Sequence, residues 1–428
     1  MKEIPTKAQN MVQWPSFQDD IFGFMVSLWG PYIYSVYRTQ HGLSERWVAL
    51  LFVLGFLTAG ISAPAVGVWA DEYGRKKMCM IFCSSYALAC VIIQIPSLPL
   101  LFLGRLLGGF STAILFSCFE SWLISSANFL SLSSRDLSTI LGYASLVNSV
   151  TATVAGMVSN ELVERSARYS SPFIASGVLL VLDLLVIWRS WEENFGGSRT
   201  SVQEVLDMSR LSKAWTAVTT DTRLFVLGLI QTCFEGSMYI FVFLWVPFLQ
   251  EAASSRQPLP LGYIFSSFML SMTLGALLYT CIISLWHAEP FGSGTSDSDG
   301  ITTLHAKLST VICIVSALAF TVSVSSGSEH RRFWAFCAFE ACVGMYYPVQ
   351  GTMRGKLVPD EHRATLSSLF RVPLNAFVVV SLMTGVASAR HFVLSACAIL
   401  LMLTALVTAV TFLRRTRGPP LASLRVPH

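Results

Sequence analysis

The chain has 428 residues, of which 53% are hydrophobic and 13% charged, with a formal net charge of +4. Charged residues make up about 25% of an ordinary globular chain, so this one lacks the material for a solvated skin around a large core. A soluble globular protein is excluded, and the class is an all-α polytopic membrane protein. No basic stripe with interleaved aromatics appears, so no nucleic-acid partner is expected.

Residues Met1 to Asp20 are polar and lack the apolar stretch of a cleaved secretory signal. A membrane-crossing helix needs about 20 apolar residues, and that ruler finds twelve. They run Ile21–Tyr37, Trp47–Ala70, Met78–Ile95, Leu100–Ser125, Thr139–Leu162 and Pro172–Trp188 in the first half. Leu224–Leu249, Leu261–Leu285, Leu308–Val324, Phe333–Met353, Ala364–Ala387 and Phe392–Leu413 follow in the second. The polar interruption Glu192–Arg223 splits the spans six and six, and a second polar loop covers His287–Thr303. The expected domains are a cytoplasmic segment 1–20, a six-helix bundle 21–191, a cytoplasmic linker 192–223, a second six-helix bundle 224–413 and a cytoplasmic tail 414–428. Lys and Arg concentrate in the loops that this arrangement puts inside, including Arg75, Lys76, Lys77, Arg354, Lys356, Arg414 and Arg415. Both termini are therefore expected in the cytoplasm.

Enzymatic and metal chemistry find no support. The 10 cysteines show no CxxC or zinc spacing, and most sit in apolar runs as packing residues. The 7 histidines fall in loops, at span edges or at the C-terminus. No phosphate-binding G-x-x-x-x-G-K-[ST] string, nucleophile elbow or His-Glu metalloprotease string occurs. Neither an enzyme nor a cofactor is expected.

The charges inside spans stand out. "FSCFESW", "QTCFEGS" and "CAFEACV" each place a glutamate (Glu120, Glu235, Glu340) in a long apolar run. Such charges are costly and face a partner or a watery cavity. Helix rise puts Arg105 about 9 Å below the outer end of span four and Glu340 about 12 Å below that of span ten. Glu235 is near the middle of span seven, so the three could share one level, with Arg105 facing both carboxylates. Glu120 lies near the cytoplasmic end of span four, Asp183 in the inner half of span six, and Arg371 about 10 Å above the inner end of span eleven. Each acid reads either as a structural ion pair or as a proton-coupling or gating group.

"GVWADEYGRKK", Gly67 to Lys77, joins spans two and three. Gly67 would let helices approach, Asp71 pair with Arg75 or a helix N-terminus, and Gly74 turn sharply, with Arg75 and Lys76 holding the loop inside. The string resembles the signature loop of the major facilitator superfamily, and "RLLGGFSTA" (Arg105 to Ala113) its fourth-span motif. The resemblance implies the major-facilitator fold, with twelve transmembrane helices in two six-helix bundles, a midplane site and alternating access. A second signature loop after span eight is not recognisable. "GPYIYSVY" (Gly30 to Tyr37), "FEGSMYIFVFLWVP" (Phe234 to Pro247), "LGYIFSSFML" (Leu261 to Leu270) and "FRVPLNA" (Phe370 to Ala376) are similar to the molybdate-anion transporter branch.

That resemblance implies a secondary transporter importing molybdate. Arg105 and Arg371, the arginines well inside spans, become candidate anion contacts, because a guanidinium forks onto oxyanion oxygens. Tyr32, Tyr34, Tyr239, Tyr346 and Tyr347 are candidate donors on the cavity-lining spans one, seven and ten, with packing aromatics as the other reading. Glu235, Glu340, Glu120 and Asp183 are candidate coupling or ion-pair residues. The expected partners are molybdate, protons and the bilayer, for a monomer in the plasma membrane. The alternatives are a carrier of another anion or small polar solute, and a non-transporting sensor or scaffold on the same fold.

Overall fold

The computed structural model describes residues 24–25, 27–129, 134–193, 195, 216, 218–253, 258–288, 297–358, 363–385 and 389–413. Some side chains lie outside that description, among them Asp71, Glu120 and Arg371. The described residues form twelve helical elements. The first, α1, combines a 3-10 turn Gly30–Tyr32, an α turn Ile33–Ser35 and a π turn Val36–Gln40. The others are α2 (Glu45–Tyr73), α3 (Arg75–Ile92), α4 (Leu98–Phe129), α5 (Ser134–Ser166) and α6 (Ser171–Ser190). The second half has α7 (Thr222–Ala252), α8 (Leu261–Ala288), α9 (Asp297–Ser325), α10 (Glu329–Leu357), α11 (Arg363–Gly385) and α12 (Arg390–Leu413).

Local chemistry explains several boundaries. Pro31, which lacks an N–H, sits in the 3-10 turn Gly30–Tyr32, and the backbone of span one is irregular from there to Gln40. Asp221 caps α7 by accepting the Arg223 amide at 2.8 Å. The expected loop His287–Thr303 is shorter than the sequence suggests, because α9 begins at Asp297 and buries His305 against the Tyr279 hydroxyl. Helix α10 likewise runs four residues past the expected Met353, to Leu357.

The helices assemble as two six-helix bundles, α1–α6 and α7–α12. In the first, α4 packs on α2 and α3, and α3 on α6; in the second, α9 packs on α10 and α12, α8 on α10, and α7 on α11 and α12. The bundles meet along α5 with α8 and α2 with α11. Among the described residues, seven helices contain a long apolar window fit to cross a membrane by length and composition. Leu274, Leu277 and Leu278 on α8, Leu182 and Leu185 on α6, and Ile399 and Leu403 on α12 stand exposed, as a lipid-facing belt requires. Helices outside those seven include α5 and α10, whose Glu161, Glu164, Glu340 and Arg354 suit a protein-lined rather than a lipid-facing environment.

Among the described residues, contacts between the bundles concentrate toward the end that carries the α1–α2 and α7–α8 connections. Arg390 at the start of α12 pairs with Glu45 at the start of α2, 3.0 Å apart. The Tyr263 hydroxyl donates to Glu161 on α5 at 3.0 Å, and the Ser266 hydroxyl to the Thr153 carbonyl at 2.7 Å. Deeper in, the Phe52 ring meets Phe243 edge-on, and Phe56 stacks flat on Tyr239, with centroids 4.8 Å apart at 7°. Asn375 on α11 lies against Gly60 of α2.

Candidate functional site

Helix α7 carries Tyr239 into that aromatic layer, and Glu235 lies one turn further along it, away from the α1–α2 end. Residues four apart share a helix face, so Glu235 looks toward the seam between the bundles. Three donors converge on its carboxylate. The Arg354 Nη2 lies 3.1 Å from Oε1, the Tyr346 hydroxyl donates to the same oxygen at 3.0 Å, and the Gln231 Nε2 donates to Oε2 at 3.4 Å. The pair is partly open: the Arg354 side chain is 30% exposed and that of Glu235 14%. Phe234 stacks on Tyr346 at 4.1 Å and fixes that ring from the core side. Tyr347, next along α10, is 49% exposed, and its hydroxyl reaches the Met238 sulfur at 3.4 Å.

The expected level shared by Glu235, Glu340 and Arg105 is corrected by this geometry. The cation on Glu235 is Arg354. Arg105 turns into its own bundle: its Nε donates to the Leu51 carbonyl at 3.1 Å, and its guanidinium lies over the Phe52 ring, 5.3 Å from the centroid. Gly55 makes room for it, since a Cβ there would meet the Arg105 Nη2 at 2.7 Å. Among the described residues Arg105 has no carboxylate partner. A cavity of about 30 Å³ lies beside it, lined in part by Trp29, Tyr37 and Tyr86. Glu340 is buried on α10 with no ion pair among the described residues.

The remaining candidates disperse. Asp183 is buried inside the first bundle, its Oδ2 without a hydrogen-bond partner among the described residues. Tyr32 donates to Asn160 at 3.0 Å and accepts from the Gly262 amide at 3.3 Å, which makes it part of the seam between the bundles. Tyr34 packs edge-on against Phe243 across the same seam. The Glu120 and Arg371 side chains, candidates from the sequence, lie outside the described residues.

The fold has many solved counterparts. A transporter of the POT family in complex with 5-aminolevulinic acid superposes with a TM-score of 0.73 at 9% identity, covering 95% of this chain and 97% of that one. The inward-open xylose transporter XylE from E. coli gives 0.65 at 11% identity, with 95% and 96% covered. Residues 10–291 match a family model described as sugar transporters, 12 TM. The molybdate-anion transporter of Xenopus tropicalis is 30% identical over 442 residues, 99% of this chain and 92% of that protein. The chain belongs to the molybdate-anion transporter family. A second member, from Takifugu rubripes, is 28% identical over 91% of this chain and 85% of its own length.

In this family member the turn after α2 is held by Glu193, a residue of the linker expected over 192–223. Gly74 adopts φ +103°, which side chains rarely take, and α3 starts directly after it. The Glu193 carboxylate, beyond α6, accepts the Lys76 amide at 2.9 Å and so sits at the positive end of α3. Lys76 Nζ returns to the carbonyls of Trp188 at 3.1 Å and Trp191 at 2.6 Å. Arg75 is buried at the same turn. The close approach expected at Gly67 is not observed, since an added Cβ would meet nothing within 4 Å among the described residues. Gly74→Ala is therefore expected to lower the thermal midpoint in detergent, through backbone strain and contact with Glu193, while Gly67→Ala leaves it in place. Equal midpoints for both variants would remove this role from Gly74.

Proposed function

We propose that the chain is a secondary carrier that moves molybdate across a membrane by alternating access. The observation that carries this reading is the 30% identity to a protein named molybdate-anion transporter across nearly the whole of both chains. An oxyanion calls for cations, because a guanidinium offers paired N–H donors to its oxygens. Arg371 and Arg105 are proposed as contributors of positive charge, and Tyr34, Tyr239 and Tyr346, with Tyr32 nearer the α1–α2 end, as donors or walls. Glu235, Glu340 and Asp183 are proposed as proton-coupling groups: a dianion imported against a negative interior needs compensating positive charge, and buried carboxyls can take up protons. Glu120 and the turn Gly67, Asp71, Gly74, Arg75 and Lys76 are assigned to gating at the cytoplasmic side.

In this reading the protein is a plasma-membrane monomer in the bilayer, with both termini, segment 1–20, linker 192–223 and tail 414–428 in the cytoplasm. The excess of Lys and Arg in the loops on that side supports the orientation. The domains are the bundles 21–191 and 224–413. The family model described as sugar transporters supports a second reading, a carrier of a neutral polar solute.

The test is uptake of labelled molybdate at nanomolar concentration in cells lacking their own importer, with labelled xylose in parallel and surface expression measured. Saturable molybdate uptake that rises as the outside is acidified is the expected result. Uptake of xylose without molybdate would replace this reading by the second.

A further inference from the structure

We infer that Arg354 is the cation that contacts the transported oxyanion, and that Glu235 holds its guanidinium as an internal counter-ion until the anion replaces it. This rests on the oxyanion reading above. The argument begins with what surrounds the Glu235 carboxylate. A guanidinium, a phenol and an amide converge on its two oxygens. That is the donor set that recognises one edge of a tetrahedral oxyanion, here occupied by a side chain of the protein itself.

The bonding of Arg354 is incomplete. A guanidinium carries five N–H donors. In the observed pair Nη2 serves Glu235, while Nε is buried with no hydrogen-bond partner among the described residues. An unmet buried donor of a charged group is costly, so an incoming acceptor gains more here than on a saturated arginine. Arg105 contrasts with it, since its Nε is spent on the Leu51 carbonyl.

Position supports the same assignment. The pair is one helical turn, about 6 Å, from the Phe56–Tyr239 stack where the bundles touch. It is therefore next to the surface that must separate when the bundles rock. The half-exposed Tyr347 adds a hydroxyl whose observed partner is a thioether, a weak acceptor that an oxyanion oxygen would outcompete. Glu340, Tyr347 and Arg354 recur at seven-residue spacing and so lie along one face of α10. The opposing explanation is an ion pair that only ties α7 to α10. Removing one partner of such a pair is damaging, whereas neutralising both is often harmless or stabilising.

The experiment compares wild type with Glu235→Gln, Arg354→Lys and the double variant Glu235→Gln/Arg354→Gln. Molybdate and tungstate binding is read as a ligand-dependent thermal shift in detergent, alongside uptake normalised to surface protein. The double variant is expected to keep the wild-type midpoint without ligand and to lose oxyanion affinity by about 100-fold, the loss of charge-assisted contacts. Arg354→Lys keeps the ion pair but not the planar fork, and should weaken binding by about 10-fold. Glu235→Gln frees the guanidinium and should bind at least as tightly as wild type while losing concentrative uptake. Wild-type affinity in the double variant or in Arg354→Lys would overturn the assignment of Arg354 and leave the transport reading standing. Weaker binding by well-folded Glu235→Gln would overturn the counter-ion role. A wild type that binds no oxyanion would overturn both this inference and the reading beneath it.

Discussion

Gly344→Val is expected to destabilise the second bundle severely, while Gly351→Ala, two turns along the same helix, is neutral. Helices α8 and α10 cross with their backbones in contact. A Cβ added at Gly344 would strike the Met272 carbonyl and come within 3.1 Å of the Ala276 nitrogen, and one at Gly275 would strike the Ala341 carbonyl. The two glycines are reciprocal, each facing the residue three before the other. The obstacle at both is backbone, which cannot rotate aside as a side chain can, so the helices must separate. Overpacking a core typically costs about 1–3 kcal/mol, and separating two helices also forfeits the dispersion contacts that drive helix association in lipid. At Gly351 an added Cβ meets nothing within 4 Å among the described residues. The measurement is the thermal midpoint and monodisperse yield in detergent. A Gly344→Val protein that melts like wild type would show that the α8–α10 contact yields to an added side chain without cost.

The same helix shows how far the sequence could be read. Twelve spans were legible, because apolar length against bilayer thickness is a one-dimensional property. What failed was azimuth. Rise per residue gives Arg105 and Glu235 similar depths, but α4 turns Arg105 toward Leu51 and Gly55 of α2, within its own bundle. A height carries no information about which way a side chain points. Arg354 was missed for a related reason. Ending the span at Met353 made it one of the loop cations that set orientation, whereas α10 continues to Leu357 and brings it onto Glu235. One signal was available: the seven-residue spacing of Glu340, Tyr347 and Arg354, which marks a common face. Glu193 had no such signal, since its role at the α3 N-terminus depends on how α6 ends beside the Gly74 turn.

Gly262→Val should abolish transport while sparing the fold, the opposite pattern to Gly344→Val. Gly262 on α8 and Gly156 on α5 face each other across the two bundles. A Cβ at Gly262 would strike the Gly156 carbonyl and meet the Asn160 Cβ at 2.7 Å, and one at Gly156 would meet the Gly262 carbonyl at 2.7 Å. Around this contact Tyr32 bridges Asn160 and the Gly262 amide, and Ser266 bonds the Thr153 carbonyl. All of these contacts can form only when the bundles are closed at the α1–α2 end. Each bundle keeps its own interior whether or not they form, so a bulky residue here penalises one state of the carrier rather than folding. A penalty of about 3 kcal/mol reduces the closed population by more than 100-fold relative to the open one, and a carrier confined to one state does not cycle.

Two readings check this. The midpoint in detergent should stay close to wild type while surface-normalised uptake falls at least 10-fold, the effect of a population shift of about 1.4 kcal/mol or more. Ser35, 1% exposed in the closed arrangement, serves as a reporter when replaced by cysteine. A membrane-impermeant thiol reagent should label Ser35→Cys faster in the Gly262→Val background than alone, with the native exposed Cys281 as the common background in both. Unchanged labelling with intact uptake would mean that the α5–α8 contact is not what closes this end. The Glu45–Arg390 pair, the edge-on contacts of Phe52 and Tyr34 with Phe243 and the Phe56–Tyr239 stack would then be what holds it shut.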